Sequence, residues 1–232
     1  MFKILFQIIL IIYIVFLFFN ILDLKKYNVN GFIKECDNFE EVLLNINNLN
    51  PVVIHQVNDY NITEVILDYG DYIENIKFEE REYIDIHKNK NLLKIIDKGK
   101  IPNFFIMSKI PVISNDSISI YKNHIGVLEQ CHNNNIIIYI VEGKTILNLF
   151  NPKHKDEIKD KGLKSIKKWA HIRELKKGDY LIIPTNWFYF LETNEEVVLY
   201  NNNVDNIFTI IPNFIRDNYD SFTLPDFISS VN

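Results

Sequence analysis

Residues 175–192, LKKGDYLIIPTNWFYFLE, restrict the fold of this chain more than any other stretch. Gly178 and Asp179 stand between two lysines and an apolar run, the pattern of a turn feeding a strand. Tyr180, Leu181, Ile182 and Ile183 are short, apolar and partly β-branched, which suits a buried strand. Pro184 ends the ladder because it has no N–H to donate. Residues 187–191 are dense in aromatics and give a second strand at once. Two strands broken by a proline corner suit a small barrel or sandwich, whose strands bend to close the sheet.

The remaining chain reads as more short strands. Residues 37–49 carry Phe39, Val42, Leu43 and Ile46 at helical spacing, so an amphipathic helix is expected there, followed by a strand over 51–54. Further strands are expected over 65–67, 72–78, 82–86, 101–107 and 118–121, with a helical turn over 92–97. Residues 136–141 and 146–150 flank Glu142, Gly143 and Lys144 as a hairpin, and 197–200 and 207–211 would complete the barrel. Residues 154–168 are charged and lysine-rich, the pattern of a solvated loop or helix. The tail over 212–232 suits a short helix and a docking segment.

Composition narrows the class. Of 232 residues, 25 are Lys or Arg and 30 Asp or Glu, a net charge of -5. That mildly acidic balance lacks the clustered basic face of a nucleic-acid grip, so no nucleic acid is expected as partner. Cys36 and Cys131, far apart, are no disulfide framework. Ala170 is the only alanine, and Asn, Ile and Lys abound, as A/T-rich codon usage in a parasite or a large DNA virus would produce. The Asn runs at 133–135 and 201–203 are accordingly read as loop chemistry.

Residues 4–22 are apolar apart from Gln7 and Asn20 and contain neither Pro nor Gly. As a helix they would span about 28 Å, close to a bilayer's hydrocarbon core. A cleavable signal has a shorter apolar region and a small-residue site, which the run lacks, so an uncleaved single-pass anchor in the lipid bilayer is the expectation. Residues 1–26 are thus anchor and flank, and the remaining 27–232 suit one β-rich domain.

Gly178-Asp179, the following strand, Ile183-Pro184, two residues and Trp187-Phe188 resemble a family motif. It is the closing GD-x-L-x-IP-x-x-WWH of the cupin-like JmjC and asparaginyl-hydroxylase group of 2-oxoglutarate oxygenases. The PVVI at 51–54 and the hairpin reaching Leu149-Phe150-Asn151-Pro152 are similar to that group as well. The resemblance implies a mostly β fold, a cupin-like double-stranded β-helix or jelly-roll barrel. It also implies ferrous iron held by two His and one carboxylate, with open positions for 2-oxoglutarate and oxygen.

The ligand positions are altered. The family's closing His falls on Tyr189. Its H-x-D/E pair falls on Gln130 and His132 without a gap, or on His132 and Asn134 with a loop two residues shorter. The basic residue that holds 2-oxoglutarate falls on Thr145; Lys144 is adjacent, but strand alternation turns it to the opposite face. The expectation is a degenerate, non-catalytic barrel without metal or cofactor, serving as a binding or structural module for a protein partner at a membrane or virion surface. The alternative is an Fe(II)- and 2-oxoglutarate-dependent protein hydroxylase with His132, Gln130 and Tyr189 as ligands and Thr145 or Lys144 on the co-substrate. A third reading is a barrel holding a small organic ligand without metal. Isolated residues such as His124, His132 and Glu129 are read as structural, and Trp169, Trp187, Phe188 and Phe190 as core and barrel lining.

Overall fold

A computed structural model describes residues 2–23, 27–37, 39–55, 81–85, 112–123, 125–159 and 163–206. The elements expected over 65–67, 72–78, 92–97, 101–107, 207–211 and 212–232 lie outside them, as does His124.

Helix α1 (Phe2–Asp23) runs 22 residues. Its side chains are described without a break only over residues 4–15, and among the described residues no helix is long and apolar enough to cross a membrane. Strand β1 (Lys34–Glu35) and helix α2 (Phe39–Asn47) follow, the helix inside its expected bounds and burying Val42 at 2% exposure. β2 (Val52–Ile54) and β3 (Arg81–Asp85) match the expected strands to within a residue or two.

Eight strands then make the barrel: β4 (Val112–Tyr121), β5 (Glu129–Gln130), β6 (Asn135–Glu142), β7 (Lys144–Phe150), β8 (His171–Lys176), β9 (Tyr180–Pro184), β10 (Phe188–Glu192) and β11 (Val197–Asn206). One sheet has the order β1-β2-β9-β6-β11-β4-β3, the other β5-β10-β7-β8. Within the eight, successive strands mostly alternate between the sheets, and every pairing is antiparallel. That is the jelly-roll arrangement, two facing sheets with their inner side chains between them. β1, β2 and β3 extend the larger sheet at its edges.

The period-2 pattern explains the core. Ile136, Ile138 and Ile140 of β6 meet Leu147 and Leu149 of β7, Leu181 and Ile183 of β9, and Leu199 of β11 in one interior cluster. Each such side chain contributes roughly 1.5–3 kcal/mol of burial. Gly143, at φ +79°, closes the β6–β7 hairpin where a Cβ would strike the Glu196 carbonyl oxygen. Trp187 is wholly buried and its Nε1 donates to Leu49 O at 3.1 Å, fastening the segment before β2 to the barrel. Asn151 works beside it, its Nδ2 donating to Asn28 O at 2.9 Å and Gly31 O at 3.0 Å.

Three expectations are corrected. Residues 154–168 are not simply solvated: α3 (Lys155–Lys159) and α4 (Leu163–Ile166) bury Ile158 and Ile166 against Phe150, Phe188 and Phe190 on the outer face of the smaller sheet. Phe188 and Phe190 are accordingly core, but of that outer layer. Asn201, Asn202 and Asn203 are no loop; they sit mid-strand in β11 opposite Ser117, Asp116 and Asn115 of β4. β4 begins near Val112 rather than at residue 118, because its Ser-Asn-Asp-Ser centre reads as a turn until a partner strand is known.

Candidate functional site

The polar centres of β4 and β11 face the barrel interior. Ser117 and Ser119 on β4 and Asn201 and Asn203 on β11 line one side of a cavity of about 100 Å³. Ile136 and Ile138 of β6 supply its apolar wall, and Glu129 of β5 and Tyr189 of β10 close it from the smaller sheet. Asn201 Nδ2 donates to Ser119 Oγ at 2.8 Å, bracing the two strands across the lining. Val127, 66% exposed, stands at the rim.

Tyr189, the residue in place of the family's closing His, does point into the barrel, at 8% exposure. It lies directly across from Glu129 in the β5–β10 ladder, and its Oη donates to Glu129 Oε2 at 2.7 Å. Burial, and next the neighbouring Glu129 carboxylate, push the phenol well above the usual tyrosine range, so it is protonated and neutral at physiological pH.

The paired positions expected one strand earlier are out of register by one residue. Glu129 lines the cavity and Cys131 belongs to the interior cluster, so the i, i+2 pair facing inward is Glu129 and Cys131. Gln130 lies on the other parity, its amide 3.5 Å from Asn186 O. His132 is half-buried and is not among the cavity's lining residues, so it does not converge there with Tyr189. Asn134 is held through its backbone, its N–H on Asp205 Oδ1 at 3.4 Å and its carbonyl accepting from Thr185 N–H at 3.2 Å. Alternation around Tyr189 was the signal that pointed to Glu129, once the pairing partner of β10 was known.

The co-substrate positions are equally occupied otherwise. Thr145 is 2% exposed and its Oγ1 donates to Glu192 O at 3.1 Å. Lys144 lies outside the barrel, 58% exposed and 4.0 Å from Glu195.

These donors do not fit the iron centre that the fold implies. The inward set is a carboxylate already receiving the Tyr189 hydroxyl, a neutral phenol, and a thiol whose Sγ lies 3.4 Å from Ile183 O. No imidazole is among them, and among the described residues no three His, Cys, Asp or Glu side chains gather as a metal site. No cation lines the cavity among the described residues, so nothing there would neutralise the two carboxylates of 2-oxoglutarate.

No family model and no curated protein matches the sequence. Solved structures do match in shape. The non-heme alpha ketoglutarate dependent epimerase SnoN from nogalamycin biosynthesis superposes with a TM-score of 0.52 at 9% identity, over 72% of this chain and 82% of that one. The non-heme alpha ketoglutarate dependent carbocyclase SnoK of the same biosynthesis gives 0.51 at 9% identity, over 73% and 84%. At that identity the likeness concerns the fold alone. The fold of this chain is a cupin-type double-stranded β-helix, similar to that of these two structures.

Proposed function

We propose that this chain is a single-pass, membrane-anchored protein whose cupin-type barrel is a non-catalytic binding module. The observation that carries the proposal is the Tyr189–Glu129 contact at the corner of the barrel where the resemblance would put iron. A carboxylate that accepts a buried phenol O–H, with no imidazole among the described residues lining the cavity, fits a structural pair. The absence of a cationic anchor among the described lining residues supports the same reading from the co-substrate side. The anchor is supported by the 22-residue helix α1 and by the uncharged run over residues 4–22.

The test is turnover. The full chain in detergent, given Fe(II), ascorbate, oxygen, 2-oxoglutarate and a mixed peptide library, is expected to form succinate no faster than a protein-free control. Catalytic, protein-dependent succinate formation would overturn the proposal in favour of a hydroxylase with unusual ligands.

A further inference from the structure

One end of the barrel receives the chain from α1. Residues 28–31 are held there by Asn151, whose Nδ2 donates to Asn28 O, Val29 O and Gly31 O at 2.9, 3.4 and 3.0 Å. Four chain steps separate Asp23, the last residue of α1, from Tyr27, and an extended chain covers at most about 14 Å in that distance. The opposite end, where Lys144 faces Lys176 in the β7–β8 ladder, lies the length of β7 away, roughly 20 Å. A helix that ends in a bilayer therefore brings the Asn151 end of the barrel to the bilayer surface.

The groups exposed at that end suit the contact. Tyr27, Val29 and Phe32 are 40%, 54% and 48% exposed, three large apolar side chains on one short segment. Lys34 Nζ stands 3.9 Å from the centroid of the Phe32 ring. Asn151 Oδ1 also accepts from Lys153 N–H at 3.0 Å, so the exposed Lys153 and Lys155 sit beside residues 28–31. His154 stacks on Trp169 at 5.6 Å, and the exposed Lys168 lies 4.3 Å over the same ring, which adds a third lysine. Asp156 and Glu157 are exposed acids on this insertion, whereas the stretch that joins α1 to the barrel adds Lys25 and Lys26. Burial, and next the positive charges of Lys153, Arg173 and His154, hold the His171 imidazole at this end below the usual histidine range. Aromatic and aliphatic side chains interleaved with lysine are what a headgroup layer accepts, the rings at the boundary and the ammonium groups on phosphate.

We infer that this end of the barrel docks on a bilayer surface containing anionic phospholipid, with Val29 and Phe32 in the headgroup layer and Lys153, Lys155 and Lys168 on the lipid phosphates. The inference rests on α1 being a membrane anchor. Docking fixes the orientation of the barrel on the membrane, which a tether alone would leave free.

The experiment is lysine acetylation, read residue by residue by mass spectrometry, on the full chain in nanodiscs of phosphatidylcholine with and without phosphatidylserine. Phosphatidylserine is expected to slow Lys153, Lys155 and Lys168 about fivefold, the factor equivalent to about 1 kcal/mol for a lysine at an anionic surface. Lys144 and Lys177, 58% and 50% exposed at the opposite end, should keep their rates. High salt should restore the three slowed rates by screening, and so should Val29→Asp combined with Phe32→Asp, both at exposed positions. Equal rates at the two ends with the chain present in the discs, or equal protection in phosphatidylcholine alone, would overturn the docking surface and leave the anchor standing. A full chain that does not enter the discs would sink the anchor and the inference together.

Discussion

Tyr189 and Glu129 face each other across the β5–β10 ladder and form a hydrogen-bonded pair at the position where the resemblance places a closing His. A buried phenol next to a carboxylate holds its proton, and the pair then behaves as a hydrogen bond rather than as two ligands. Tyr189→Phe keeps the ring and removes the donor, and should cost about 1–3 kcal/mol by denaturant unfolding, as expected when a carboxylate loses a buried hydrogen-bond donor. The same pair predicts a pH dependence. In the unfolded chain the phenol loses its proton near pH ~10, whereas the folded phenol keeps it to higher pH. Its contribution is therefore complete below that pH and lost as pH rises further, so wild type should destabilise more steeply than Tyr189→Phe in alkaline melts. Parallel alkaline slopes would mean that the phenol is not held as described.

Helix, hairpin and strand elements were readable in proportion to how much local pattern they carry. β6, β7 and β9 are apolar runs bounded by Gly143, Asn151-Pro152 and Pro184, and their sequence bounds hold to within about two residues. β4 and β11 were half-hidden, because their central residues are chosen for a polar cavity rather than for a buried face. The candidate site was hidden for the same reason: which of Glu129, Gln130, Cys131 and His132 faces inward depends on strand parity, and β5 is too short to display its own period. The helices α3 and α4 were obscured by their lysines, since only Ile158 and Ile166 mark the buried side. That assignment gives a direct contrast. Ile166→Ala should cost about 2–4 kcal/mol through the cavity it leaves over the smaller sheet, whereas Lys155→Ala, at an exposed position of the same insertion, should stay within about 0.5 kcal/mol. Similar small effects from both would place the insertion off the barrel.

Taken whole, the chain joins an N-terminal helix, uncharged over residues 4–22, to a barrel in which the positions aligned by the resemblance with metal ligands carry Gln130, His132 and Tyr189. Trp187, Asn151 and Gly143 keep scaffold roles of packing, tying and turning, while Tyr189, Thr145 and Glu129 spend their polar groups on internal hydrogen bonds. If α1 is an anchor, the full chain expressed in cells should remain in the membrane pellet after alkaline carbonate extraction, and a chain beginning at Tyr27 should not; release of the full chain would remove the anchor from the proposal. The proposal that the barrel holds no metal is tested by the melting temperature of the full chain under anaerobic Mn(II), with and without 2-oxoglutarate. The melting temperature should be unchanged by millimolar Mn(II) in either case. A rise that 2-oxoglutarate enlarges, and that Glu129→Gln abolishes, would contradict a structural Tyr189–Glu129 pair and restore this barrel to the metal-dependent oxygenases.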